Sequence, residues 1–201
     1  MKPHHSAGAL ALGFRVHTGW SAVVAAGGAF PQVTVPHRGR VELLDADSGT
    51  SRFVYHEARE LNLPKAAELV HRARKAVHYA ASGAVKLLMK TLRAAGHDVT
   101  VAAILAGGAR VPDDLAAILA SHALVHAAEG ALFRQALVSA AEACGLEVII
   151  IPERQLWQRA AAAFGEDIRQ QGAARGKSLG PPWAEDQRAA TVAALLALRR
   201  D

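Results

Sequence analysis

The sequence predicts an α/β fold: three antiparallel strands, then two parallel strands, with helices on both faces of the sheet. Three observations carry that expectation. Short segments with alternating apolar residues fill the first 45 or so positions. Two near-continuous apolar runs, VTVAAIL from Val99 and LEVIII from Leu146, have the composition of strands buried on both faces. Long segments with helical spacing separate and follow them. A meander feeding two right-handed crossovers leaves few topologies open.

In chain order, residues 1–8, with His4 and His5, read as a loose tail. Leu12, Phe14 and Val16 alternate with Gly13, Arg15 and His17 in the first strand, and Thr18-Gly19 turns the chain into a second strand over Trp20–Ala26. Gly27-Gly28 breaks that strand. A third is expected over Arg38–Leu44, with Val41 and Leu43 facing inward. Asp45–Glu60 is polar and reads as an irregular loop carrying His56. Pro64 suits the first turn of a helix whose apolar residues, from Leu69 to Leu92, keep helical spacing as far as a C-cap at Gly96. Ser82-Gly83 predicts a bend in it.

The strand at Asp98–Ala106 is followed by Pro112-Asp113-Asp114, whose acids suit the first turn of a helix running to Ala143 with a break near Ser121. A strand over Leu146–Ile151 and a helix from Pro152-Glu153 to about Phe164 come next. Residues 165–182, containing R-Q-Q-G-A-A-R-G-K, have few apolar side chains and read as a mobile basic loop. Ala184–Leu198 closes the chain as a helix.

The bulk numbers fit one globular domain over residues 1–201. Apolar residues make up 51% and charged residues 20%, which excludes a disordered chain. The net charge of +5 favours an anionic partner. Cys144 is the single cysteine, so internal disulfides and multi-cysteine zinc sites are excluded. Without a secretory pattern or an apolar window of about 18 residues, the expectation is a cytoplasmic protein with no membrane span.

The opening L-G-F-R-V-H-T-G-W-S-A-V-V resembles the first hairpin of the ribonuclease H-like superfamily, where a Gly-hydrophobic-Asp step precedes the turn. The pieces S-H-x3-H-x2-E-G-x2-F-R, P-E-R-Q-L-W and P-W-A-E-D-Q-R-A-A also resemble an uncharacterised bacterial family of similar length. That likeness spans most of residues 10–200 and brings no activity with it. The superfamily resemblance implies an aspartate on the first strand that binds one of two magnesium ions. Arg15 stands at that position, and a guanidinium repels magnesium. Ala106-Gly107-Gly108 ends the fourth strand without an acid; Glu185 and Asp186 alone keep carboxylates near where resolvase-type members have theirs. No standard two-magnesium site is expected, and no other cofactor follows.

The stretch Ser121–Arg134 carries the densest set of candidate site residues. At about 100° per residue, His122, His126 and Glu129 share an arc of about 60° with Ile118, Val125 and Phe133 nearby, so all three are expected to point inward. Such a trio could hold zinc or iron with an open position, or form a buried hydrogen-bonded network without metal. Arg15, His17, His122, His126, Glu129, Arg134 and Asp186 are the candidates for holding an anion at one shared centre, with Arg15 close to Glu129. Lys65, Arg72, Tyr79, Lys86 and Arg93 recur every seven residues and form a largely basic stripe, with Arg74, Lys75 and Lys90 beside it. With the Arg169–Lys177 loop, this stripe could meet a phosphate backbone or remain a solvated face.

Three functions stay open. The first is a ribonuclease H-like module that binds nucleic acid or another phosphate-bearing ligand. The second is a metal-dependent or acid–base hydrolase using His122, His126 and Glu129. The third is a protein-interaction module, including a homo-oligomer.

Overall fold

The computed structural model describes residues 9–28, 30, 32–107 and 110–199. The expected tail at residues 1–8 and Gly108 lie outside the described residues. A five-stranded sheet runs in the order β3-β2-β1-β4-β5, built from β1 (Ala9–His17), β2 (Trp20–Gly27), β3 (Thr34–Glu42), β4 (Asp98–Ala106) and β5 (Glu147–Pro152). β1 pairs antiparallel with β2 and parallel with β4, so Phe14 sits opposite both Val23 and Ile104. β5 continues the parallel half, with Ile104 beside Ile150. The predicted fold class is the one observed.

Period-two alternation sends each strand's side chains to two separate cores. Leu12, Phe14 and Val23 face α2 (Leu63–Ala94) and α4 (His122–Ala143), packing with Val77, Leu88 and Phe133. Ala11, Val24 and Val101 face α5 (Leu156–Phe164) and α7 (Glu185–Leu198), packing with Leu156, Ala190 and Leu195. Gly13 belongs to this second face. A Cβ there would lie 1.8 Å from the Ala190 carbonyl oxygen, so α7 rests directly on the β1 backbone.

Four local expectations change. β3 starts at Thr34 and runs through Pro36. As an edge strand it tolerates a residue without an N–H. Residues 54–59 form a short helix, α1 (Val54–Arg59), instead of an irregular loop, because Val54, Tyr55 and Ala58 give a single turn an apolar face to bury. α2 is one uninterrupted helix of 32 residues with no break at Ser82-Gly83. One glycine costs a helix about 1 kcal/mol, and the buried Ala81, Val85 and Leu88 hold the helix together on either side of it. Nothing lies within 4 Å of a Cβ built on Gly83. Gly83→Ala is therefore expected to stabilise the protein by about 1 kcal/mol, read as a higher denaturant midpoint with an unchanged slope.

The fourth change concerns residues 165–182. The expected mobile basic loop is largely α6 (Ile168–Leu179). Its glycines are contact surface: a Cβ on Gly176 would meet the Trp183 ring at 2.3 Å, and Trp183 Nε1–H donates to the Gly172 carbonyl at 2.8 Å. Ile168 is buried, and Arg175 donates to the Val33 carbonyl at 2.9 Å. Ser121 caps α4 by accepting from the Leu124 N–H, which places the expected break after α3 (Leu115–Ala120).

Candidate functional site

Beginning at the first strand, Arg15 leaves β1 on the α7 face, two residues beyond Gly13. Its Nε and Nη2 donate to Glu153 Oε1 at 2.9 and 2.6 Å, and its Nη1 donates to Asp186 Oδ1 at 2.8 Å. His17 Nε2 meets the same Asp186 oxygen at 3.1 Å. Partial burial works to lower the Arg15 pKa, but the bonds and charges of Glu153 and Asp186 outweigh it and raise the value overall. The ring of His17 stacks on Trp20 at 4.2 Å, and the Arg40 guanidinium lies 4.2 Å from the centre of Trp20. Arg15, His17 and Asp186 are thus brought together as expected. Glu153 completes the group and was not among the sequence candidates. Its signal is position, since it directly follows β5 at the carboxyl end of the parallel strands.

Glu129 is not near Arg15. The two lie on opposite faces of the sheet, because α4 covers the Phe14 face while Arg15 points toward α7. Glu129 is 3% exposed. Its Oε1 accepts from the His56 backbone N–H at 3.3 Å and from His56 Nδ1 at 2.8 Å. His122 and His126 do not point inward. Both are exposed at the start of α4, with their Nε2 atoms 3.0 Å apart. The helical arc placed the three residues on one side, but the side is the rim of the core: only Glu129, two turns into α4, lies deep enough to be covered. The ring of His56 packs edge-on against both histidines at 5.7 and 4.6 Å. The expected single centre is therefore two clusters, and Arg134, which was expected with them, lies in neither.

The basic stripe also divides. Lys86 and Tyr79 line a groove of ≈ 640 Å³ between α2 and α4, together with His71, Arg74, Lys75 and His78. Arg72 instead pairs with Glu68 at 3.5 Å, and Arg93 reaches toward the Cys144 carbonyl. Lys65 is exposed at the start of α2. The α6 segment cannot join this stripe, since it packs on the α7 side of the sheet. Arg134 and Arg110 line a second groove of ≈ 480 Å³ on the other flank of α4, next to Ala106 and Ile150. Burial pulls the Arg134 guanidinium below its ordinary pKa. Gln135 and Ser139 border both grooves. Among the described residues, neither lining set contains a carboxylate.

Sheet order and crossovers define a ribonuclease H-like α/β fold. Two solved structures with this architecture are those of Thermus thermophilus RuvC. The RuvC structure matches with a TM-score of 0.50 and 12% identity over 93% of this chain and 92% of that one. T. thermophilus RuvC in complex with Holliday junction substrate matches with a TM-score of 0.51 and 13% identity, over 93% and 90%. No protein-family model and no curated protein matches the chain. No described helix is long and apolar enough to cross a membrane.

The residues do not fit the two-magnesium centre that the superfamily resemblance implies. Glu153 and Asp186 are both bonded to the Arg15 guanidinium, which stands at the position where that resemblance puts a metal-binding aspartate. β4 ends at Ala106, followed by Gly107, with no carboxylate there to contribute.

Proposed function

We propose that the protein binds nucleic acid through the paired grooves flanking α4 and does not cleave it by two-metal chemistry. The observation that carries this reading is the composition of the groove linings. Arg74, Lys75, Lys86, Arg110 and Arg134 come together with His71 and His78 and without an acid. Tyr79, 83% exposed on the same surface, offers a ring on which a base can stack. The lining cations sit along a surface, as needed to follow a phosphate backbone rather than to enclose one small anion. The RuvC complex with Holliday junction substrate supports the same class of ligand for this fold. The internal pairing of Arg15 with Glu153 and Asp186 supports a non-hydrolytic role for the β1 end.

Fluorescence anisotropy with labelled RNA and DNA at several salt concentrations tests it. Wild-type affinity is expected to fall steeply with salt and to depend little on sequence. Replacing Lys75, Lys86 and Arg110 together by alanine should weaken binding about 10- to 100-fold and flatten the salt slope by about three. Arg72→Ala, already paired with Glu68, should do much less. An absence of wild-type binding at low salt would remove the proposal, and so would an Arg72→Ala loss equal to that of the triple variant.

A further inference from the structure

We propose that His56, His122 and His126 form a binding site for a late first-row divalent metal ion, zinc foremost, with one coordination position open to solvent. The three imidazoles come from two helices, and their candidate donor nitrogens all lie within 4.8 Å of one another. The His122 and His126 Nε2 atoms are 3.0 Å apart. Zn–N bonds of about 2.0–2.1 Å in tetrahedral geometry put neighbouring donors about 3.3 Å apart. Closing the set needs ring movements of about an ångström, within reach of half-exposed and exposed side chains.

Glu129 is the second observation. Its buried carboxylate accepts from His56 Nδ1 at 2.8 Å, which fixes the proton on Nδ1 and leaves the lone pair on Nε2. This is the carboxylate–histidine–metal arrangement in which an outer carboxylate orients a ligand and raises its basicity. The same bond explains why Glu129 can be buried. An ionised carboxylate at that depth needs a cation, and a metal-bound His56 would extend the ion's charge to it.

A hydrogen-bonded network without metal accounts for less of this geometry. Two facing Nε2 atoms can share one proton, but that bond gives His56 no reason to converge with them. A divalent ion uses all three lone pairs. The amino-terminal end of α4 carries partial positive charge and opposes a cation weakly; the Glu129 charge opposes that effect. Imidazole donors select zinc and its neighbours over magnesium or calcium. Three neutral imidazoles, one divalent ion and one carboxylate leave an excess positive charge, so the open position suits water or an anion. The assignment replaces Glu129 by His56 in the ligand set predicted from sequence, and it does not depend on nucleic-acid binding.

The test uses full-length protein carrying His4→Ala and His5→Ala, so that the N-terminal histidines do not contribute, after stripping by a chelator. Zinc is titrated by calorimetry and cobalt by visible absorption. One equivalent is expected to bind, with the intense visible bands of tetrahedral cobalt and a rise in Tm on zinc addition. His56→Ala and His126→Ala should each weaken binding at least about 100-fold and abolish the zinc-dependent Tm rise. Glu129→Gln should weaken it about 10- to 100-fold. His122 and His126 are exposed, so His126→Ala is expected to keep the metal-free Tm and gives the decisive reading if Glu129→Gln fails to fold. Absence of stoichiometric binding, or equal binding by wild type and His126→Ala, would overturn the assignment.

Discussion

Gly13→Ala is expected to cost about 3 kcal/mol or more, a large share of the roughly 5–15 kcal/mol that holds a typical domain folded. A Cβ at this position would lie 1.8 Å from the Ala190 oxygen, 2.7 Å from its carbonyl carbon and 3.1 Å from the Ala194 nitrogen. All three are backbone atoms of α7, so no side-chain rotation relieves the overlap. The helix must lift from β1, and Ala193, Ala194 and Leu195, all buried there, lose their contacts with Ala11 and Val101. Overpacking a well-packed core typically costs about 1–3 kcal/mol and occasionally more, and a rigid helix backbone places this case at or above the upper end. For a chain of this size that loss lowers Tm by about 6–12 °C. Thermal unfolding of Gly13→Ala beside Gly83→Ala gives the sharpest comparison, because the same added methyl should destabilise at one site and stabilise at the other. An unchanged Tm for Gly13→Ala would mean that α7 does not rest on β1.

That close approach also has a functional consequence. Asp186 lies one turn before Ala190 on α7, so the missing side chain at Gly13 sets how near Asp186 comes to Arg15. In sequence, Gly13 reads only as one small residue in an alternating strand. The alternation itself placed Arg15 and His17 together on one face and Phe14 on the other, and the first turn of the last helix supplied Asp186. The strand-to-helix order was legible because local periodicity sets it. Which helix covers which face depends on crossover packing, and no local pattern specifies it. For that reason Glu129 was expected beside Arg15, although α4 lies across the sheet from it.

His56 was hidden for a similar reason. Its polar neighbours resemble a loop, and the turn that carries it becomes a helix only because Val54, Tyr55 and Ala58 find α2 and α4 to pack against. The same error arose at α6, where few apolar side chains read as a mobile loop although Gly172 and Gly176 receive Trp183. Both misreadings share a cause: a short segment with weak propensity takes its conformation from tertiary contact. The seven-residue basic stripe was legible as a pattern, but partner choice was not. Arg72 finds Glu68 one turn back on α2, while Lys86 faces α4 across an open groove.

The second large effect is expected at Arg15 and reads out the charge logic of that site. Arg15 and Asp186 are both about three-quarters covered, at 24% and 25% side-chain exposure, whereas Glu153 is 45% exposed. Fully buried pairs cost about 3–5 kcal/mol when one partner is removed, and exposed pairs are worth about 1 kcal/mol or less. Arg15→Met should therefore fall between these limits, at about 2 kcal/mol. In a double-mutant cycle with Asp186→Asn, a coupling of about 1–2 kcal/mol is expected. The parallel cycle with Glu129→Gln should be additive within about 0.5 kcal/mol, because the sheet lies between the two residues. Charge reversal sharpens the test. Arg15→Asp would remove the cation between Glu153 and Asp186 and place a third carboxylate near them, where like charges repel. This variant should be less stable than Arg15→Met at neutral pH, and millimolar magnesium or manganese should recover part of the loss by replacing the missing cation. Thermal unfolding with and without the ion measures both effects. Equal stability of the Met and Asp variants, with no response to the ion, would show that the two carboxylates do not depend on the charge at residue 15.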